Sequence, residues 1–206
     1  MKREEKNALS RQRILDAALK EFSDKGYDGA SLNTVCAENG ISKGIVYHYF
    51  KDKDELYLVC VRRCFEALTA HMKGCRDSFH GALEDKLQAY FDARMNFFLE
   101  NPLLLGIFVG AAFSPPGSLL ADIAACREAF DEFNISVLTE FLKGERLREG
   151  LEAALIAEDF RLYIDYFHMR FANDFGKTAP STAALAEYEE RCRRQLNMLL
   201  YGVLSK

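Results

Sequence analysis

Apolar residues recur three and four positions apart along almost the whole chain, and no stretch of useful length alternates apolar with polar. A repeat of about 3.6 residues gathers such positions on one side of an α-helix. The pattern therefore predicts an all-α protein. In the first helix, Ser10 is a candidate N-cap, Ile14, Ala17, Ala18 and Phe22 form the stripe, and the helix runs to about Lys25. Gly26-Tyr27-Asp28-Gly29 breaks it. Ser31 then caps a short helix with a hydroxyl that can accept from an early backbone N–H. A full capping box needs Glu or Gln at position 34, where Thr34 stands. Leu32, Val35 and Cys36 face inward and Asn39-Gly40 ends the helix, glycine tolerating the left-handed turn. Ile41 plugs the angle, Ser42 caps a helix over Lys43 to Phe50, and Val46 and Phe50 point inward.

The remaining pattern is longer. A helix from Asp54 to about Cys75 carries Leu56, Val59, Cys60, Cys64 and Leu68. Leu83 to Glu100 follows. Pro102 then suits the first turn of Leu103 to Phe113, an 11-residue apolar run that Ser114-Pro115-Pro116-Gly117 stops. Leu119 to Leu142, Ala157 to Phe175 and Thr182 to Leu204 complete the series, with Gly144 and Gly150 around a charged connector. The reading divides the chain into a head, 1–56, of three short helices, and a larger helical body, 57–206.

The outward side of the helix at 43–50 is unusual. Two helices joined by a tight turn suit insertion of the second into the major groove, its N-terminal residues nearest the base edges. Ser42, Lys43, Gly44, Ile45, Tyr47, His48 and Lys53 form the candidate DNA-binding set. Lys43 can donate to guanine O6 or N7. Tyr47 and Lys53 suit phosphates, contacts that position a protein without reading sequence. Gly44 costs about 1 kcal/mol inside a helix relative to Ala, so it reads either as room for close approach or as a loose first turn. Lys53, beside Asp52, Asp54 and Glu55, equally suits a solvated helix start. Residues 1–13 hold five Lys/Arg (Lys2, Arg3, Lys6, Arg11, Arg13) against Glu4 and Glu5, either a basic arm for DNA or a solvated terminus.

Charge tempers the DNA reading. The chain carries −4 overall, yet residues 1–56 balance 10 Lys/Arg against 10 Asp/Glu, so the acidity lies in the body. A neutral head must rely on a few well-placed contacts. The polar N-terminus resembles no signal peptide and no run approaches the ~20 apolar residues of a membrane span, which predicts a cytoplasmic protein without membrane contact. Cysteines at 36, 60, 64, 75, 126 and 192 form no C-x-x-C pair. They read as reduced packing thiols, with no metal and no cofactor expected.

The segment from Arg13 to Leu56 resembles the DNA-binding head of the TetR family of bacterial repressors. The matching residues are Ile14, Ala17-Ala18, Phe22, Gly26-Tyr27, Val35, Gly40-Ile41-Ser42-Lys43-Gly44, Tyr47-His48-Tyr49-Phe50, Lys53 and Leu56. Ala30 departs from the usual Thr, and Cys36 and Asn39 from the usual Ala. The resemblance implies a ligand-responsive transcriptional repressor, its partners a double-stranded, pseudo-palindromic operator and a small-molecule effector, apolar or aromatic. It also implies a homodimer, placed here in residues 157–204, where Leu185, Tyr188, Cys192, Leu196, Leu199 and Val203 repeat as a seam. Twelve of the sixteen phenylalanines fall between Phe91 and Phe175. Such a set packs a core or walls a ligand site. With the resemblance, Phe97, Phe98, Phe108, Phe113, Phe130, Phe133, Tyr163 and Phe167 become candidate ligand contacts, with Arg94, Asn96, Asp165 or His168 as orienting groups. The alternative is a helical enzyme, or a small-molecule-binding dimer without specific DNA binding. Against an enzyme, the chain has no phosphate loop, no H-E-x-x-H and no Ser/His/Asp order.

Overall fold

The computed structural model describes residues 3–175 and 182–203, with the side chains of 3, 164, 165, 167–175, 182, 184, 185 and 203 outside the description. Helices α1 (Arg3–Gly29), α2 (Leu32–Glu38) and α3 (Lys43–Tyr49) build the head. Helix α4 (Lys53–Gly74) leads into α5 (Leu83–Glu100), α6 (Pro102–Phe113), α7 (Leu120–Leu142), α8 (Ala153–Phe175) and α9 (Thr182–Val203). No strand occurs among the described residues.

Helix α1 starts at Arg3 rather than at Ser10, which is an interior residue. Nothing in residues 3–13 breaks a helix, and Glu4 and Glu5 occupy the first turn, where the peptide dipoles favour acid. The Tyr49 hydroxyl also donates to Asn7 Oδ1 at 3.2 Å, tying that turn to the end of α3. The basic arm is therefore helical. Gly26, at φ 65°, breaks α1 near its end, a backbone geometry that glycine adopts without strain. Helix α8 begins at Ala153, four residues ahead of the expected start, because Ile156 and Ala157 already bury themselves on the body.

Helix α4 is the axle of the molecule. It buries Leu56, Tyr57, Cys60, Val61, Cys64, Phe65, Leu68, Thr69 and Met72, more than one stripe, because α1, α5, α6 and α7 all pack against it. The division at 56/57 thus falls inside one continuous helix, and one buried core runs across it from Ile14 to Leu200. Helix α6 is apolar on nearly every side, as expected of a helix enclosed by others. It meets α5 at 115° beside Pro102. Helix α6 crosses α1 so closely at Gly106 that a Cβ there would lie 2.7 Å from the Ser23 carbonyl oxygen and 2.8 Å from the Ser23 Cα. Among the described residues no single helix is long and apolar enough to cross a membrane.

The six cysteines carry free thiols, five buried and Cys75 half-buried. Desolvation pushes the Cys60 and Cys192 thiols up to about 12, and raises Cys64 further. Cys64 donates to the Leu104 carbonyl at 3.3 Å. These groups pack rather than react. Among the described residues no three His, Cys, Asp or Glu side chains gather where a metal would sit.

Candidate functional site

Two regions carry the candidate chemistry, a helical face on the head and a cavity in the body. In the head, the Ser31 hydroxyl accepts from Asn33 N–H and caps α2, and Gly40 turns the chain at φ 61°. Ile41 is buried in the angle, its N–H bonded to the Cys36 carbonyl at 2.9 Å. The Ser42 hydroxyl accepts from Ile45 N–H at 3.3 Å and caps α3. Val46 and Phe50 are almost fully buried, which fixes the roll of α3.

Ser42, Lys43, Gly44, Ile45, Tyr47 and His48 all end up exposed on the outer side of α3. Ile45 and Tyr47 are 45% and 57% exposed, large apolar surface for so short a helix. A Cβ on Gly44 would meet nothing within 4 Å, so no protein contact accounts for the missing side chain. The His48 ring lies edge-on to Tyr49, centroids 4.9 Å apart. Lys53 is half-buried instead, its ammonium 4.5 Å from the centre of the Tyr27 ring. The Tyr27 hydroxyl donates to Asp54, and that bond raises its pKa to about 12. The break in α1, the start of α4 and Lys53 are therefore one assembly. Arg11 of the basic helical arm lies 5.3 Å from the Phe50 ring, beside the end of α3. The head can thus present a groove-sized helix with a cation, a phenol and an imidazole on one face.

The body holds a cavity of about 70 Å³, walled by all six helices α4 to α9. Seven rings line it: Phe65, Tyr90, Phe91, Phe108, Phe130, Phe141 and Phe160. Of the eight candidate contacts, the structure brings Phe108 and Phe130 to this wall. Phe97 packs on Phe98 and on the His71 ring, at 5.3 Å each, and Phe98 on Phe108 at 4.9 Å. Phe113 stacks at 5.0 Å on Tyr188, and Phe133 is buried away from the wall. The Tyr163 hydroxyl donates to Gln195 at 2.9 Å. Those five do not line the cavity; for Phe97, Phe98 and Phe113 the reason is that α5 and α6 bury more than one side and have more inward positions than the cavity has wall. The side chains of Phe167, Asp165 and His168 lie outside the description, and Asn96 is exposed.

Of the four candidate orienting groups, Arg94 is the one that reaches the wall among the described side chains. Its Nε donates to Glu189 Oε1 at 2.9 Å and its Nη2 to Oε2 at 2.5 Å, joining α5 to α9. Desolvation opposes the Arg94 charge, but the adjoining carboxylate prevails and holds its pKa well above the ordinary value. Desolvation raises Glu189, against the pull of Arg94. Sequence reasoning missed the other polar wall groups. Arg127 pairs with Asp131 at 2.9 and 3.1 Å, and the Tyr90 hydroxyl donates to Asn134 at 2.7 Å. Arg161 pairs with Glu158 at 2.7 Å. The signal for the first lay in the sequence, Arg127 and Asp131 standing four apart on a helix next to Phe130.

The seam on α9 is corrected in part. Tyr188, Cys192 and Leu196 are buried within their own chain, together with Leu200, and only Leu199 of the described seam positions is exposed. Leu185 and Val203 lie outside the described side chains. A helical period cannot tell packing on a chain's own body from packing on a second copy. Among the described side chains of the last two helices, the large exposed apolar positions are Leu155, Leu162 and Tyr166 of α8, with Met198, Leu199 and Tyr201 of α9.

Residues 14–60 match the family described as bacterial regulatory proteins, tetR family. An HTH-type transcriptional regulator of Staphylococcus aureus (strain USA300) is 33% identical over 96 residues, 47% of this chain and 51% of that protein. The chain spans about half the length of the curated relatives it matches. Among solved structures, a transcriptional regulator from Rhodococcus sp. Rha1 superposes with a TM-score of 0.66 at 20% identity, covering 93% of this chain and 96% of that one. The transcriptional regulator FadR from Bacillus subtilis, in complex with stearoyl-CoA, gives 0.65 at 17% identity, covering 90% and 97%. At such identities these two share the fold.

Proposed function

We propose that this chain, a member of the tetR family of bacterial regulatory proteins through residues 14–60, is a transcriptional repressor that a small apolar or aromatic molecule releases from its operator. The observation that carries the reading is the exposed face of α3. Buried Val46 and Phe50 hold Lys43, Gly44, Tyr47 and His48 outward, with no protein atom over Gly44. Lys43 lies nearest the base edges, and Tyr47 and Lys53 nearest the phosphates. A mobility shift on the DNA flanking the gene, repeated across salt concentrations, tests it. Tyr47→Phe should weaken binding to every sequence alike. Lys43→Ala should instead flatten base preference at one position, by about 1–3 kcal/mol. Two unchanged shifts would refute this groove orientation.

A two-fold dimer of heads suits a pseudo-palindrome whose half-sites lie about 34–36 Å apart or a multiple of that. Support comes from Leu155, Leu162, Tyr166 and Leu199, apolar and open on the last two helices. Leu162→Glu or Leu199→Glu should convert the protein to monomers with poor DNA affinity, read by sedimentation and mobility shift. Wild type sedimenting as a monomer at micromolar concentration would overturn the dimer.

The effector site is the body cavity. Phe108 and Ala112 of α6 are on its wall, and Gly106 of the same helix holds Ser23 of α1. Phe65 of α4 is on the wall as well, and Tyr57 of α4 packs on Phe22 and Tyr27 of α1 at 5.0 and 5.1 Å. A ligand shifts the heads only if it prefers one arrangement of these helices. A coupling of about 1–3 kcal/mol would change DNA affinity roughly 5- to 150-fold. Ala112→Phe, which fills the cavity from α6, should weaken the ligand response about tenfold or more and leave DNA affinity nearly unchanged. A thermal-shift screen, followed by mobility shifts with the hits, reads both. Gly110 offers no such test, since a Cβ there meets the Tyr57 hydroxyl at 3.2 Å, away from the wall.

A further inference from the structure

The wall of the body cavity is unevenly charged. It holds three arginines, Arg94, Arg127 and Arg161, against one carboxylate, Asp131. Glu189 and Glu158, which pair with Arg94 and Arg161, are not wall residues. The wall residues thus carry two more positive charges than negative ones, their balancing carboxylates belonging to residues outside the wall.

Arg94 differs from the other two. Arg127 and Arg161 have partners on their own helices, three or four residues away. Arg94 is 93% buried, its carboxylate comes from another helix, and its Nε and Nη2 are committed to it. Its Nη1 makes no bond to Glu189, while the Tyr90 hydroxyl and the Cys192 thiol also lie within reach of the guanidinium. An arginine donor that its carboxylate does not take is open to an acceptor at the wall. Its guanidinium carbon also lies 5.2 Å from the Phe91 ring and 5.7 Å from Tyr90, so the group is held rigidly between aromatic walls.

We propose that the ligand of this cavity is an apolar molecule bearing one carboxylate, which accepts from Arg94 Nη1 while its apolar body lies among Phe65, Phe91, Phe108 and Phe130. The inference rests on the reading of the cavity as the effector site and gives that effector a chemical class. A guanidinium N–H to a carboxylate is a strong, charge-assisted bond, and burial strengthens it. A neutral apolar molecule forgoes that bond, and a cationic one faces three guanidinium groups. At about 70 Å³ the cavity is smaller than the ~150 Å³ that holds benzene, so the wall must yield to admit a ring or a chain. Because Glu189 holds the other edge of Arg94, a bound carboxylate shares the guanidinium that ties α5 to α9.

Calorimetric titration of the full chain with phenylacetate and octanoate, each beside its neutral alcohol, 2-phenylethanol and 1-octanol, tests this. Each acid should bind about tenfold tighter than its alcohol or better, a difference of 1.4 kcal/mol or more. The double variant Arg94→Met/Glu189→Met removes both charges and strands neither. It should bring acid and alcohol to within about threefold, through a loss of affinity for the acid. Alcohols binding as tightly as acids would overturn the carboxylate assignment and leave the effector cavity standing. A preference for acids that survives in the double variant would overturn the role of Arg94. No binding of either class, or binding unaltered by Ala112→Phe, would overturn the cavity reading itself and this inference with it.

Discussion

Replacing Glu189 by alanine should cost about 3–5 kcal/mol of stability, because it leaves the Arg94 guanidinium buried without its carboxylate. Thermal unfolding should register this as a fall in Tm of roughly 6–20 °C for a chain of this length. The pair is unlike the surface ion pairs of the molecule. Arg63–Asp16 and Arg191–Glu187 are exposed, and such pairs contribute about 0–1 kcal/mol each. Arg94 and Glu189 are 7% and 6% exposed, so water cannot replace a lost partner. Removing both charges is a different experiment. Arg94→Met/Glu189→Met should recover most of the stability, since an apolar pair of similar volume carries no desolvation cost. If Glu189→Ala melted with wild type, the pair would not be what holds α9 to α5.

A second large loss should come from Gly106→Val at the crossing of α1 and α6. A Cβ at 106 would lie 2.2 Å from the Ser23 hydroxyl oxygen, which a rotation of that side chain relieves. It would also meet the Ser23 carbonyl oxygen at 2.7 Å and Cα at 2.8 Å, and no rotation moves those. The helices must separate. Overpacking a dense interface costs about 1–3 kcal/mol, and more where backbone must shift. Ser23→Ala added to Gly106→Ala should therefore rescue only part of the loss. Full rescue would mean the hydroxyl alone was the obstacle. Because this crossing joins the body to the head, DNA affinity should fall along with Tm.

The head was the most legible part of the sequence because its signals are local. Ser31, Asn39-Gly40 and Ser42 cap and turn within a few residues of the groups they satisfy. The inward roles of Val46 and Phe50 follow from their spacing alone. The start of α1 was misread for the opposite reason. Ser10 suits a cap in isolation, and what extends the helix past it includes a bond from Tyr49, 42 residues away. The cavity was harder still. Periodicity marks which residues of a helix face inward, but not which of them meet a void and which meet one another. Phe108 reaches the wall, whereas Phe97 and Phe98 spend their rings on each other and on neighbours. Arg94 did carry a readable sign, a charge three and four positions from Phe91, Phe97 and Phe98 on the buried side of α5, although nothing local could assign it to Glu189.

That one core runs unbroken from Ile14 to Leu200 bears on how this chain could be recombined with others of its fold. A head cut at position 56 and joined to another body would carry away only the first turn of α4, Lys53 to Leu56, and leave the Ser23 backbone facing whatever residue replaced Gly106. Heads and bodies are interchangeable only where the recipient keeps a bare α-carbon at that crossing and a α4 surface able to receive Phe22 and Tyr27. The unit that can be transplanted intact is therefore longer than the three-helix head. It reaches at least through α6, and it takes part of the cavity wall with it.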